Sequence, residues 1–260
     1  MTTRTDPPRH TGEVSGALRV RATRAGARTV VTEAYRTAPF HLGRAHAHAG
    51  GAELIVQGVG PGYLPGDRLT ISLAVDSGAC LHVRGQGATR VYPSPTGVPA
   101  TVQAALTVAA GSRLMYLSGE LIPFRDAVLE QVTRIDVASG GVAILGEIVT
   151  PGRLAMGEAH AYTRLRLDVE ARVDGRLVLL ERARLEPATG DLASIGRHGP
   201  YSVAGTLYAI GEAGLTLPSA DPGAVTWAHA AGDRFTLVRL VGPTVQAVAT
   251  AMRHILATAT

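Results

Sequence analysis

An alternation of apolar and polar residues with a period of two runs along most of the chain, and no other feature limits its fold as much. Leu18, Val20 and Ala22 alternate with Arg19, Arg21 and Thr23, and Leu69, Ile71, Leu73 and Val75 with Arg68, Thr70, Ser72 and Ala74. Leu129, Gln131, Thr133, Ile135 and Val137 share one side of a further run, with Glu130, Arg134 and Asp136 on the other. Leu165, Leu167 and Val169 stand in the same way against Arg164, Arg166, Asp168 and Glu170. Successive side chains of an extended chain point to opposite faces, so each run is read as a strand with one buried face. Turn-forming residues separate the runs: Pro65-Gly66-Asp67, Asp76-Ser77-Gly78, Ser139-Gly140-Gly141 and Pro151-Gly152. Asp174-Gly175 between two runs is a hairpin signal, because glycine takes up positive φ without steric cost. Helices do not alternate with these strands, which argues against a parallel α/β sheet. The pattern predicts a mainly β fold of stacked antiparallel sheets, superhelical or sandwich-like, with a short C-terminal helical segment.

That helix is expected after Gly242-Pro243-Thr244, where Val245, Val248, Met252 and Ile255 recur at three- and four-residue steps and Thr244 is placed to cap the N-terminus. Its apolar stripe must pack on the sheets or on a partner. The expected organisation is a flexible tail over residues 1–15, a β-rich scaffold domain over 16–240 and the helix within 241–260, with no internal repeat of fixed period.

Hydrophobic residues make up 46% of the 260 and charged residues 18%, as in an ordinary globular chain, but aromatics are only 4%, so Leu, Val, Ile and Ala must build the core. All 25 basic residues are Arg, and the net charge is +4. These arginines are scattered among acids, without a basic block or aromatic–basic interleaving, which argues against nucleic acid as a partner. The N-terminal stretch lacks the apolar core of a signal peptide, and no apolar run approaches the about 18–20 residues that span a bilayer. A cytoplasmic protein with no membrane contact is expected. Cys80 is the only cysteine, which excludes an internal disulfide and any multi-cysteine metal centre.

The familiar catalytic motifs fail. The chain has no G-x-S-x-G elbow, and a G-x-x-x-x-G-K phosphate loop would need a lysine. Gly58-Val59-Gly60-Pro61-Gly62 reads as a turn-rich loop, because Pro61 and the lack of a following helix contradict a dinucleotide site. No enzyme activity is expected. Three groups could touch a metal: Cys80-Leu81-His82, Glu158-Ala159-His160-Ala161-Tyr162 and His46-Ala47-His48. In each, side chains two residues apart share a strand face, and thiolate and imidazole suit nickel or zinc. None has the full ligand count of a tight site, and ordinary surface or core placement is the competing reading.

An ordered series of short segments extends beyond these groups. Pro65-Gly66-Asp67-Arg68-Leu69, Asp76-Ser77-Gly78-Ala79 and Gln86-Gly87-Ala88-Thr89-Arg90-Val91-Tyr92 are followed by Gln103–Val108, Gly111–Leu114 and Leu121–Phe124. Gly146-Glu147-Ile148-Val149, Gly152-Arg153 through Gly157-Glu158, and Leu179-Leu180-Glu181-Arg182 continue it. In order and spacing, from about residue 16 to about 210, the series resembles the urease accessory protein D family, called H in some systems. Two departures stand out: Tyr63-Leu64-Pro65 occupies the place of tandem glycines, and Arg90 stands where lysine is usual.

The resemblance implies a β-rich scaffold that binds urease apoprotein on one side. On the other side it would bind the F-type accessory protein, which recruits the G-type GTPase, and two copies can meet within the complex. Nickel would be in transit through an internal channel, with no tightly bound cofactor. Asp67, Glu147 and Glu158 fall on the family's motif positions and are the first candidates to line that path; Cys80, His82 and His160 are weaker ones. A structural reading competes for these acids, with Asp67 capping its turn and Glu158 pairing with Arg153. Two rival readings are an enzyme or small-molecule-binding β fold using Glu158, His160 and Tyr162 as acid/base groups, and a stand-alone metal-binding protein.

Overall fold

The computed structural model describes residues 14–48, 50–190, 203–212, 215 and 225–257. The expected tail over residues 1–15 therefore lies almost wholly outside the described residues.

The chain alternates between two sheets. A hairpin of β1 (Ser15–Ala25) and β2 (Arg28–Arg36) starts the first sheet, and β3 (Phe40–Leu42), β4 (His46–His48) and β5 (Gly51–Gly58) start the second. Next, β6 (Arg68–Val75), β9 (Ala100–Val108), β11 (Val128–Val137) and β13 (Arg164–Val173) each return to the first sheet. Between them β7 (Cys80–Gly85), β8 (Thr89–Val91), β10 (Arg113–Pro123) and β12 (Val142–Val149) lie in the second. Finally β14 (Arg176–Leu185) ends the first sheet, and β15 (Val203–Gly211), β16 (Thr226–Gly232) and β17 (Phe235–Gly242) complete the second. The spatial orders are β14-β13-β11-β9-β6-β1-β2 in a 7-stranded sheet and β16-β17-β15-β12-β10-β7-β5-β3 in a 10-stranded one, in which β4 also pairs with β5 and β8 with β10.

Within each sheet the central neighbours run parallel: β1, β6, β9, β11 and β13 in one, β5, β7, β10 and β12 in the other. Antiparallel pairs stand at the ends, as in β1–β2, β13–β14 and β12–β15. The architecture is a two-sheet β-solenoid, which corrects the expected stacked antiparallel sheets. Parallel strands need a crossover between them, commonly a helix. Here the crossover is a strand of the facing sheet, so parallel pairing needs no helix. Alternation of residues reveals a buried face but is silent on strand direction.

The arches between sheets are one motif used three times: Asp76–Ala79, Ala109–Ser112 and Ala138–Gly141. The fourth residue donates its N–H to the carbonyl of the first in each (3.1, 3.3 and 2.9 Å), and the third is a glycine at φ 72, 64 and 75°. Only glycine adopts that left-handed conformation without strain. Arches also bond to one another, Arg113 N–H to Ala79 O at 3.0 Å and Val142 N–H to Ser112 O at 2.9 Å, so each coil sets the height of the next.

The main core lies between the sheets, in rungs such as Leu73–Leu106–Ile135–Ala171 and Val75–Val108–Val137–Val173. A second cluster lies outside the larger sheet, where α1 (Val245–Ala257) buries Val248, Ala251, Met252 and Ile255 against Ile148, Leu207, Val238 and Leu240. The helix thus packs on its own chain. Thr244 Oγ1 accepts the Ala247 N–H at 3.2 Å, the cap its position foretold. Gly205 makes room for the approach, since a Cβ there would stand 2.6 Å from Val248 Cγ1.

Candidate functional site

The apolar faces between the sheets are interrupted at a few positions, and the interruptions meet. On the first sheet the inward rungs are Leu69–Val102–Gln131–Leu167 and Leu18–Ile71–Ala104–Thr133–Val169, so Gln131 and Thr133 put polar groups into the core. On the second sheet Tyr116 lies in the rung Leu54–Val83–Tyr116–Leu145–Tyr208. Glu147 follows Leu145 on the same face of β12. Tyr116, Gln131, Thr133 and Glu147 border a cavity of about 50 Å³ between the sheets. Tyr63, Ile71, Thr89, Tyr116 and Ser118 border both it and a neighbouring space of about 260 Å³, which reaches the Gly58–Gly62 loop and Gln86–Arg90. The two spaces adjoin at these five residues and make up a chamber between the sheets.

Gln131 Nε2 donates to Glu147 Oε1. Burial pushes the Glu147 carboxyl up to about 7; the Gln131 bond opposes this, and the charge of Glu181 adds to it. A carboxyl in low dielectric loses the hydration of its charged form, and a single amide donor replaces little of it. Burial also pushes the Tyr63 phenol up to about 12 and the Tyr116 phenol higher still, so both remain neutral hydroxyls. Further along, Glu181 of β14 accepts from Arg239 of β17 across the gap between the sheets. Buried Tyr208 stands near both acids: its phenol is pushed up by burial first, then by the charges of Glu147 and Glu181. The chamber is lined with carboxylate, amide and hydroxyl oxygens. Such donors suit a divalent cation, and at this density they would hold it loosely.

The six sequence candidates do not gather in one place. Asp67 is 2% exposed, and backbone groups engage both its carboxylate oxygens: Oδ1 accepts the Val14 N–H at 3.1 Å and Oδ2 the Leu64 N–H at 2.8 Å. It clamps the turn before β6. Glu158 takes a two-pronged contact from Arg153 (Nε 2.8 Å, Nη2 2.6 Å), and the Arg153 guanidinium lies 4.1 Å above the Phe124 ring. The hydrogen bond from Arg153 holds the Glu158 carboxyl below its ordinary range. His160 sits in a turn at φ 52°, its N–H bonded to Pro151 O and its ring 6.2 Å from that of Tyr162. None of Glu158, His160 and Tyr162 borders either of the two spaces. Cys80 and His82 face outward from β7, because Leu81 and Val83 take its inward positions. Glu147 is the one candidate that opens on the chamber.

Gln131, Thr133 and Tyr116 were not singled out from sequence as lining residues, nor Glu181 and Arg239 as a pair across the sheets. Gln131 and Thr133 had a visible signal, as polar residues on the apolar side of an alternating strand. Glu181 shares a strand face with Leu179 and carried the same signal. Nothing local pairs it with Arg239, 58 residues away.

The model of the UreD urease accessory protein family matches residues 14–260, nearly the whole chain. The chain belongs to that family. A relative from Opitutus terrae, named urease accessory protein UreD, is 39% identical over 173 residues, 65% of this chain and 63% of its own length. One of the same name from Cenarchaeum symbiosum is 32% identical over 199 residues, 75% of this chain and 70% of the relative. A third, from Cupriavidus necator, is 32% identical over 252 residues, 92% of this chain and 85% of the relative. The chain thus spans somewhat less than two thirds of the first of these relatives and more of the other two.

Proposed function

We propose that this chain is a non-catalytic urease maturation scaffold, acting in the cytoplasm, that passes nickel through the space between its two sheets. It would hold urease apoprotein on one side and the F-type accessory protein, with the G-type GTPase, on the other. Nickel is the cargo here and not a resident cofactor. The observation that carries this reading is the half-buried Glu147 carboxyl, which borders a cavity between the sheets together with Gln131, Thr133, Tyr116, Ser118 and Glu120, next to a second space that Tyr63 and Thr89 also border. An ion that must leave again is better served by two carboxylates, Glu147 and Glu120, among neutral hydroxyls than by a full ligand set. Among the described residues no three His, Cys, Asp or Glu side chains are grouped to hold a metal, and no helix is long and apolar enough to cross a membrane. Asp67 and Glu158 border neither space and serve the fold, in the turn before β6 and the loop beyond β12.

The test is urease activation in a strain or reconstituted system with the full accessory set, reading nickel per urease and activity together. E147Q removes the charge and keeps the shape. The expected result is a large fall in nickel loading, with the complex of accessory proteins and urease still recovered intact. Unchanged loading by E147Q would sink the reading.

A further inference from the structure

Cys80 and His82 lie on the outer face of the larger sheet, away from the chamber, and strand register brings metal-type side chains beside them. His82 stands between Glu53 of β5 and Met115 of β10, and Cys80 is paired with Arg113. Strand β4 sets His46 opposite Glu53 and His48 opposite Gly51. Cys80 Sγ is 3.8 Å from His82 Nε2, and the His48 ring stands edge-on to the His82 ring, with centroids 4.8 Å apart at 61°. One tetrahedral ion bound by a thiolate at about 2.3 Å and an imidazole at about 2.0–2.1 Å would hold those two donor atoms about 3.6 Å apart. The pair is therefore already close to a chelating separation.

His48, Cys80, His82 and Met115 border an open recess of about 510 Å³ whose far wall is the end of α1. Among the described residues no three such side chains yet converge on one point. The third ligand stands beside the pair: the His48 side chain is 49% exposed with Nδ1 3.8 Å from Glu53 Oε2, and a turn of its ring that gives up this contact would bring it toward the pair. Arg113 and Arg253 also border the recess. Their charge disfavours a hard ion held by electrostatics alone, so the donor atoms decide what binds. Sulfur and imidazole donors select soft and borderline d-block ions.

We propose that Cys80, His82 and His48 form an exchangeable surface site for one soft or borderline d-block cation, of the class of zinc, copper(I) and nickel. Three protein ligands leave a coordination position open, as befits an ion that is taken up and released. The site is separate from the inter-sheet chamber and does not rest on nickel passing through it.

Cobalt(II), an optical stand-in for zinc and nickel, tests this on the full chain under reducing conditions. Cys80 is the only cysteine, so a near-ultraviolet thiolate-to-cobalt band reports on this site alone. The expected result is a band that saturates at one equivalent and is displaced by zinc. C80S, a near-isosteric change at a half-buried position, abolishes it while the far-ultraviolet circular dichroism stays as in the wild type. H82A and H48A each weaken apparent affinity by at least about tenfold, and E147Q titrates as the wild type. A wild-type chain without the band overturns the site. H48A or H82A behaving as the wild type overturns the ligand assignment, and loss of the band in E147Q overturns its separateness. Failure of the nickel passage reads differently: urease loading would be unchanged by E147Q while the cobalt band persists.

Discussion

Replacing Glu147 by glutamine should stabilise the chain, and by an amount that depends on pH. In the folded protein burial holds this carboxyl at about 7, against an ordinary value of 4.5. The folded state therefore keeps the proton more tightly than the unfolded state, and folding stability falls as pH rises from about 4.5 to about 7. Above that window the full cost of ionising the buried group is about 3 kcal/mol. The amide introduced by E147Q is neutral throughout and can still accept from Gln131. Urea denaturation of the purified chain at pH 4.5, 6, 7 and 8 measures the difference. At the lowest pH the two proteins should unfold together. At pH 8 the variant should be more stable by about 3 kcal/mol, a midpoint higher by about 1 M if the urea slope is about 3 kcal/mol/M. A difference independent of pH, or a variant less stable than the wild type at pH 8, would refute the enclosure of this carboxyl.

The other two acids on the family's motif positions should behave in the opposite way. D67A leaves the N–H groups of Val14 and Leu64 without their acceptor in a buried turn, which should cost about 2–5 kcal/mol in chemical denaturation. E158Q should lower the thermal midpoint at neutral pH by weakening the contact with Arg153. Because the Glu158 carboxyl is held low, its stabilisation is present above the unfolded-state value and is lost as pH falls through the folded one. Thermal scans of wild type and E158Q should therefore converge in acid.

Which residues form strands was legible, because the period-two runs around Leu18, Leu69, Leu129 and Leu165 are the inward rungs of the first sheet. The glycine-bearing turns were legible as punctuation, and Thr244 as a cap. The direction of pairing was not, since an alternating segment buries the same face beside a parallel or an antiparallel neighbour. Strand direction follows from the three arches, whose equivalence shows once Gly78, Gly111 and Gly140 are seen stacked. Glu147 was named from its motif alone. Its partners were half visible: Gln131 and Thr133 break an apolar face, a local fact. The bridge from Glu181 to Arg239 joins strands of different sheets, and no local pattern encodes that.

The three acids carried over from the family's motifs look equivalent in sequence but meet different fates in the fold. Asp67 has a backbone N–H on each oxygen, and Glu158 has two nitrogens of one guanidinium. Both are acids that folding itself uses, and removing either should weaken the chain. Glu147 has one amide donor for a carboxyl in an apolar layer, next to a second acid. A neutral side chain of the same shape would serve the core better. A residue that sets local chemistry against stability is what a functional position is expected to look like, and here the conflict sits beside a cavity between the sheets. Neither the packing of Tyr116 and Leu145 nor the ladder through Gln131 requires a negative charge at that point. A divalent ion arriving there does, because it would displace the proton and supply the counter-charge that the protein withholds.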